Sequence, residues 1–299
     1  MAMTIDLDPQ VSRTRNFAQG YNFPSSTTKG KDFTEGSIGG APVFDELIIP
    51  LSMALGSVTP TQLTPITAYE WVWDVPLTGD IVPKSAKVEK GDTNTAESVV
   101  GAVLTELSFE WDRESVSMSG SLMAQNLNES ATLTTAGITT MPQEPLDPAG
   151  IGIWIDTAHA NLGTTRMLRV FDGGISLGNL FGGIWPLNES KASFDGIISL
   201  QPESETTFNI MADAAGKALL TALKNGDRRF LRWAIKGPQI GAGPATYLLQ
   251  FDVAVEVIDV DAMADDDGIY IMPLTLAPVA DEDWSSALQV TLVNTQATY

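Results

Sequence analysis

Between residues 107 and 124 apolar and polar side chains alternate with a period of two, and that spacing restricts the segment to an antiparallel hairpin. Leu107, Phe109 and Trp111 alternate with Ser108, Glu110 and Asp112, and Asp112-Arg113-Glu114 turns the chain. Val116, Met118, Leu122 and Ala124 then alternate with Ser115, Ser117, Ser119 and Ser121. One face is apolar, and the other carries hydroxyls and acids.

The elements around this hairpin occur twice. In the first half a helix-like run at 44–55 precedes a Trp-bearing strand at 69–75 and then the hairpin. In the second half the order is a helix at 213–224, a Trp-bearing strand at 230–236, and a long pair at 249–257 and 270–276. An array of like units points to assembly before catalysis.

The first helix is predicted from the spacing of Phe44, Leu47, Ile48 and Leu51, with Asp45 and Glu46 at its N-terminus, a kink at Pro50 and an end at Gly56. In the second, Ala214, Ala218, Leu219, Ala222 and Leu223 line one face, Asp213 opens it, and Lys224-Asn225-Gly226 closes it. Short strands are predicted at 151–156, 167–171, 192–200 and 288–292. Residues 76–100 are long for a loop and either serve a function, are mobile in the free protein, or hide a further hairpin.

The fold class is therefore mainly β (α+β), as two tandem antiparallel β-sandwich domains, each with one flanking helix. The expected division is an extended N-terminal arm at 1–40, a first domain at 41–142, a linker at 143–150 with Pro145 and Pro148, and a second domain at 151–299.

The chain of 299 residues carries a net charge of −20, split into −11 for residues 1–150 and −9 for the rest. A field of that sign repels DNA and anionic lipid, so a nucleic-acid grip is excluded, whereas a wall past which DNA slides is not. There is no cysteine and hence no disulfide framework. The opening MAMTIDLDPQ lacks the basic and apolar regions of an export signal, and no apolar run approaches the ~20 residues of a bilayer span. The Asn-Glu-Ser sequons at Asn128 and Asn188 carry no weight without such a signal.

Catalytic patterns fail on inspection. Gly174-Ile175-Ser176-Leu177-Gly178 matches a nucleophile elbow, yet Gly182-Gly183 and Pro186 follow instead of a helix. The single histidine, His159, precedes the serine, so a glycine-rich turn between strands is the better reading. His159 cannot build a zinc site alone and is expected in a loop. The acidic turn at Asp265-Asp266-Asp267-Gly268 would put Met263 and Leu274 where a calcium loop needs oxygen ligands. With so many acids, some carboxylate pair always meets a glycosidase spacing, which deprives that signal of meaning. Trp71, Trp73, Trp111, Trp185, Trp233 and Trp284 could form a sugar platform, but most lie in the apolar phase of a strand and read as core. The expectation is a non-enzyme with no cofactor and no metal.

Several stretches resemble the major tail tube proteins of long-tailed (siphovirus-like) bacteriophages. They are Ser-Leu-Gly-Asn at 176–179 leading to Trp-Pro-Leu-Asn at 185–188, and Asp-Asp-Gly-Ile-Tyr at 266–270. Asp-Glu-Asp-Trp at 281–284 and Leu-Gln-Val-Thr-Leu-Val-Asn at 288–294 follow. Phe-Asp-Glu-Leu at 44–47 and Phe-Glu-Trp-Asp-Arg-Glu at 109–114 extend the resemblance to the N-terminal half. It implies rings that stack into a hollow tube with a β-barrel inner wall, joined by arms and long loops. It also implies the virion tail as location, after assembly in the bacterial host cytoplasm. The implied partners are further copies of the chain, a tape measure inside, tail terminator and distal tail proteins at the ends, and DNA passing without tight binding. Two tube domains per chain would make a trimer the ring, with a hexamer as the alternative. Glu70, Asp74, Ser108, Glu110, Asp112, Gln250, Asp252 and Glu256 occupy the polar phase of the strongest strands and are the candidate channel-lining residues. The competing classes are a surface or secreted β-sandwich adhesin or carbohydrate-binding module, and a capsid decoration protein.

Overall fold

The structure, a computed structural model, describes residues 3–64, 67–136, 140–187, 190–266 and 268–298. Asn188 and Asp267, which the sequence reading used, lie outside the described residues, as do the side chains of Leu223 and Asp266.

The described residues are mainly β, with two α-helices. Strands β1 (Met3–Asn16) and β2 (Ser26–Gly40) precede helix α1 (Ile48–Leu55). Then come β3 (Thr61–Leu63), β4 (Ala68–Pro76), β5 (Ala86–Gly91), β6 (Ala96–Trp111) and β7 (Val116–Ala124). Past the middle lie β8 (Ile151–Asp156), β9 (Val170–Gly178), β10 (Phe181–Ile184), β11 (Gly196–Ser199) and β12 (Glu203–Met211). Helix α2 (Ala214–Asn225) leads into β13 (Arg229–Gln239) and β14 (Thr246–Val260). The chain closes with β15 (Ala264–Asp266), β16 (Ile269–Pro278) and β17 (Ser286–Asn294).

All pairings between these strands are antiparallel, and one path runs β1-β2-β7-β6-β9-β12-β16-β14-β17-β4-β3, with β13 and β8 branching from β14. β14 lets the sheet fold over. Its first part lies between β13 and β17, and its last residues pair with β16 across a bulge between Val257 and Asp259. Two layers result, and their inner faces meet through aromatic rings. Trp111 of β6 stacks on Trp233 of β13 at 4.5 Å, and Phe109 meets Phe251 of β14 at 5.5 Å.

These contacts cross the expected 143–150 boundary. β6 pairs with β9, β4 pairs with β17, and both halves contribute side chains to one core cluster. Val43 bridges Pro145, so the expected linker is tied to the start of the first half. The repeated order of elements thus builds one continuous sheet, because the edge strands of each half pair across the boundary.

Local expectations fared unevenly. The N-terminal arm is a paired hairpin whose register runs from Met3↔Gly40 to Asn16↔Ser26. The 76–100 stretch does hide a hairpin, β5 against the start of β6. Helix α1 starts at Ile48, so Asp45 and Glu46 precede it instead of forming its first turn. Asp45 is fully buried and accepts hydrogen bonds from Thr295 N (3.0 Å) and Thr295 Oγ1 (2.7 Å), pinning the C-terminal end of the chain. Pro50 falls in the first turn of α1, where no intrahelical N–H is needed, so no kink is required. In α2, Asp213 Oδ1 accepts from Gly216 N as a cap, and Leu219 and Ala222 are buried, but Ala214 and Ala218 face solvent.

The 174–178 segment is strand β9 and not a turn, and it begins at Val170 where a strand at 167–171 was expected. Its glycines serve close packing. A Cβ on Gly173 would stand 2.7 Å from Phe208 and 2.9 Å from the Trp111 ring.

Candidate functional site

The outward face of β7, β6, β9 and β12 is the most distinctive surface of the molecule. Register places Ser119, Ser108, Ser176 and Glu205 in one row across the four strands, and Ser117, Glu110, Gly174 and Thr207 in the next. Opposite them Leu107, Phe109, Met118, Ile175 and Phe208 point into the core, so the polar phase is forced outward by burial of the apolar one. The face forms an open hollow of about 540 Å³, lined among others by Ser108, Glu110, Asp112, Asp172, Glu205 and Thr207. None of these four strands contains Lys, Arg or His. At the end of the face Asp112 Oδ1 accepts hydrogen bonds from Glu114 N and Ser115 N, both 2.7 Å. The Ser115 and Glu114 amides hold its carboxyl below the usual carboxylate range.

The opposite outward face, formed by β4, β17, β14, β13 and β8, has other chemistry. Asp252 is buried and takes Arg232 as a bidentate partner, Nε to Oδ1 at 2.6 Å and Nη2 to Oδ2 at 2.7 Å. Gln250 Nε2 donates to the same carboxylate at 2.9 Å. Arg232's own hydrogen bonding to Asp252 raises the Arg232 pKa, outweighing the opposing effect of burial. The loop after β8 packs over this pair, since a Cβ on Gly163 would stand 2.9 Å from Arg232 Nη1. Asp156 anchors that loop by accepting from Gly163 N, Thr164 Oγ1 and Thr165 N. Burial pushes its pKa up, but the bonds from Thr165, Thr164 and Gly163 prevail and it lies below the usual value. Helix α2 packs on β14.

The eight candidate residues therefore sit in different places. Ser108, Glu110 and Asp112 share the open hollow, with Asp112 committed to its turn. Gln250 and Asp252 belong to the ion-pair cluster of the other face. Glu70 and Asp74 lie on β4 of that same layer, Glu70 half-buried and Asp74 exposed. Glu256 is half-buried on β14, opposite Ala277 of β16. Ser176, Glu205 and Thr207 are further members of the hollow that the sequence reading did not select. Their signal was present: Thr206, Phe208 and Ile210 alternate with Glu205, Thr207 and Asn209, and reading 174–178 as a turn obscured the neighbouring strand.

Other motifs have structural settings. Ser176 stands mid-strand, facing Ser108 and Glu205. His159 stacks on Trp284 at 4.5 Å, in a short 3-10 turn. Gly268, with φ 86°, donates its N–H to Asp265 Oδ1. Trp71, Trp73, Trp111 and Trp233 are buried in the core, whereas Trp185 and Trp284 are half-buried against other rings. Among the described residues no group of three or more His, Asp or Glu is placed to hold a metal ion. No helix among them is long and apolar enough to cross a membrane.

No family model and no curated protein matches the chain. Among solved structures, tryptophan mutants of the Hcp1 protein from E. coli EAEC 042 pathovar are similar over 49% of this chain and 97% of theirs, at 11% identity and a TM-score of 0.27. Similarity at that level does not establish a shared fold.

Proposed function

We propose that the chain is the structural subunit of a phage-type tail tube, with the β7-β6-β9-β12 face turned to a lumen through which DNA passes. The observation that carries this reading is the composition of that face: hydroxyls and carboxylates in register across four strands, with no cation on any of them. A wall of this kind presents phosphates with nothing to pair to, so DNA slides without counterion release and without sticking. The resemblance of the sequence to tail tube proteins supports the same assignment, and with it the virion tail as location and tape-measure, terminator and distal tail proteins as partners.

The trimer expected from two separate sandwiches loses its physical basis once strands of both halves share one sheet. We place six chains in the ring. Strands about 4.8 Å apart and tilted about 40° give a barrel of roughly 48 Å across for twenty-four strands and roughly 24 Å for twelve. Inward side chains take about 10 Å from either diameter, so only the larger barrel admits a duplex roughly 20 Å wide. Electron microscopy of concentrated protein tests the reading. Hollow tubes with sixfold rings are expected; closed shells or lone particles under all conditions would remove it, and threefold rings would remove the stoichiometry.

A further inference from the structure

The distal part of the β1–β2 hairpin differs in charge from the molecule that bears it. Residues 9–31 hold Arg13, Arg15, Lys29 and Lys31 and not one acid, in a chain of net charge −20. From residue 11 to residue 31 every side chain is exposed, and β2 joins β7 only from Thr34 onward. The loop at its end carries Phe17, Tyr21 and Phe23, which are 62%, 67% and 78% exposed. The root of the ribbon is clamped: Phe33 meets the Trp185 ring edge-on at 5.2 Å, and Asp32 N donates to Ala192 O at 3.1 Å. Beyond that clamp about six residues per strand, 11–16 and 26–31, reach roughly 20 Å before the loop begins. A two-stranded ribbon is marginal by itself, and three exposed aromatic side chains on one loop offer apolar surface that a partner can cover.

A cavity of about 910 Å³ has the matching chemistry. It opens where the ends of β9, β12 and β16 meet the segment after β4. Leu77, Leu200 and Pro202 supply apolar walls, Glu106, Glu203 and Glu205 are the charged groups, and no Lys, Arg or His lines it. Its volume lies within the ordinary range of pockets that bury compact ligands. Two smaller hollows mix charges, Arg113 and Arg166 with Asp112 and Asp172 in one and Arg166 and Arg169 with Asp213 in the other, so neither offers a basic ribbon the uncompensated carboxylates of the larger cavity.

We infer that the glutamate-rimmed cavity receives the aromatic tip of the hairpin from a second copy of the chain, with Arg13 and Arg15 set against its carboxylates. This rests on the self-assembly reading above and names the two surfaces that join. The contact is heterologous, so each copy that docks its own hairpin keeps a cavity for the next, and the rotation between copies decides whether the array closes into a ring or extends as a filament.

The absence of cysteine makes the test direct. Full-length Tyr21→Cys protein is mixed with Leu77→Cys protein under mild oxidation, and separately with Leu168→Cys protein, whose site adjoins the arginine-lined hollows. Each molecule carries one thiol, so every link joins two copies. The 21–77 product is expected to exceed the 21–168 product at least tenfold; equal yields, or no 21–77 product, would overturn the inference. As a second measurement, the exposed triple variant Phe17→Ser, Tyr21→Ser, Phe23→Ser is expected to keep its circular dichroism. Its self-association is expected to weaken by about 30-fold or more, the usual loss for one aromatic anchor. Undiminished association would count equally against the socket. Linked copies without tubes would reject the tube and keep the socket, whereas tubes without the 21–77 link would reject the socket alone.

Discussion

On one side of the sandwich Ser119, Ser108, Ser176 and Glu205 stand in a row open to solvent, and on the other Arg232 and Asp252 hold each other beneath a loop tied down by Asp156. Both surfaces arise from the same alternation of apolar and polar residues. They differ in what lies over them. The strands of the open face carry no Lys, Arg or His, and Glu110 is exposed among the described residues, so it stays hydrated and acts through its charge. The covered face has charges withdrawn from water, each of which needs a partner to be tolerated. Polar periodicity marks only the side away from the core, and the cover decides whether a carboxylate there serves structure or surface.

The largest test asks whether the two faces belong to one body. Trp233→Ala would empty the ring cluster shared by β6, β13 and β14, at an expected cost of about 3–5 kcal/mol. Urea unfolding followed by tryptophan fluorescence and by far-UV circular dichroism is expected to shift as one transition. Two separate transitions, only one of them displaced, would show that the halves fold apart and would restore the two-domain division.

Asp252→Ala comes next. It would leave the Arg232 guanidinium without its partner, and because Arg232 keeps part of its solvent access the expected loss is near 2–3 kcal/mol. Glu110→Ala on the open face is expected to change stability by less than about 0.5 kcal/mol. Equal losses for the two variants would break the contrast between the faces.

Acid should act on the loops anchored by Asp156 and Asp281 before it acts on the strand row at 174–176. The carboxyls of Asp156 and Asp281 lie below their usual pKa. Asp281 is held there by the Trp284 amide and then by Arg228, and Asp156 by the loop bonds that outweigh its burial. Groups depressed in the folded state contribute stability above the ordinary carboxylate pKa of about 4 and lose it as pH falls through their folded values. Hydrogen exchange is expected to show the amides of 163–165 and 284 losing protection below about pH 4, ahead of those of 174–176. Simultaneous loss at all these positions would show that the loop has no independent acid response.

The smallest effect on stability is expected for Glu110→Lys with Thr207→Lys, two exposed positions of the open hollow outside the glutamate-rimmed cavity, yet this pair reaches furthest into function. Replacing Asp112 or Asp252 instead would confound the result, since the one caps a turn and the other neutralises Arg232. Two lysines on the open face would offer phosphates a partner, and DNA passage through assembled particles is expected to slow at low salt and recover as ionic strength rises. Passage unchanged at every salt concentration would take this face off the channel.

Sequence alone determined the local geometry wherever one period dominated. The hairpin at 107–124, the strand holding Trp71 and Trp73, the helix opened by Asp213 and the terminal strand through Leu288 and Leu292 all followed from spacing, because burial of one face fixes which residues share it. The absence of cations from four strands was legible too, although not that those strands are neighbours.

Only the tertiary structure decided the rest. Asp45 and Glu46 suited a helix start, but long-range bonds from Thr295 drew Asp45 into the core. The segment 174–178 reads as a glycine-rich turn, yet it is strand, and the Trp111 and Phe208 rings show why the position before it, Gly173, can bear no side chain. Asp252 and Glu110 have the same alternation in sequence, and nothing local separates them. Their fates diverge because strand pairing across the middle of the chain brings Arg232 and the loop after β8 to one carboxylate and leaves the other in water. Pairings between residues so far apart are set by the summed burial of the whole core, which no short window of sequence contains.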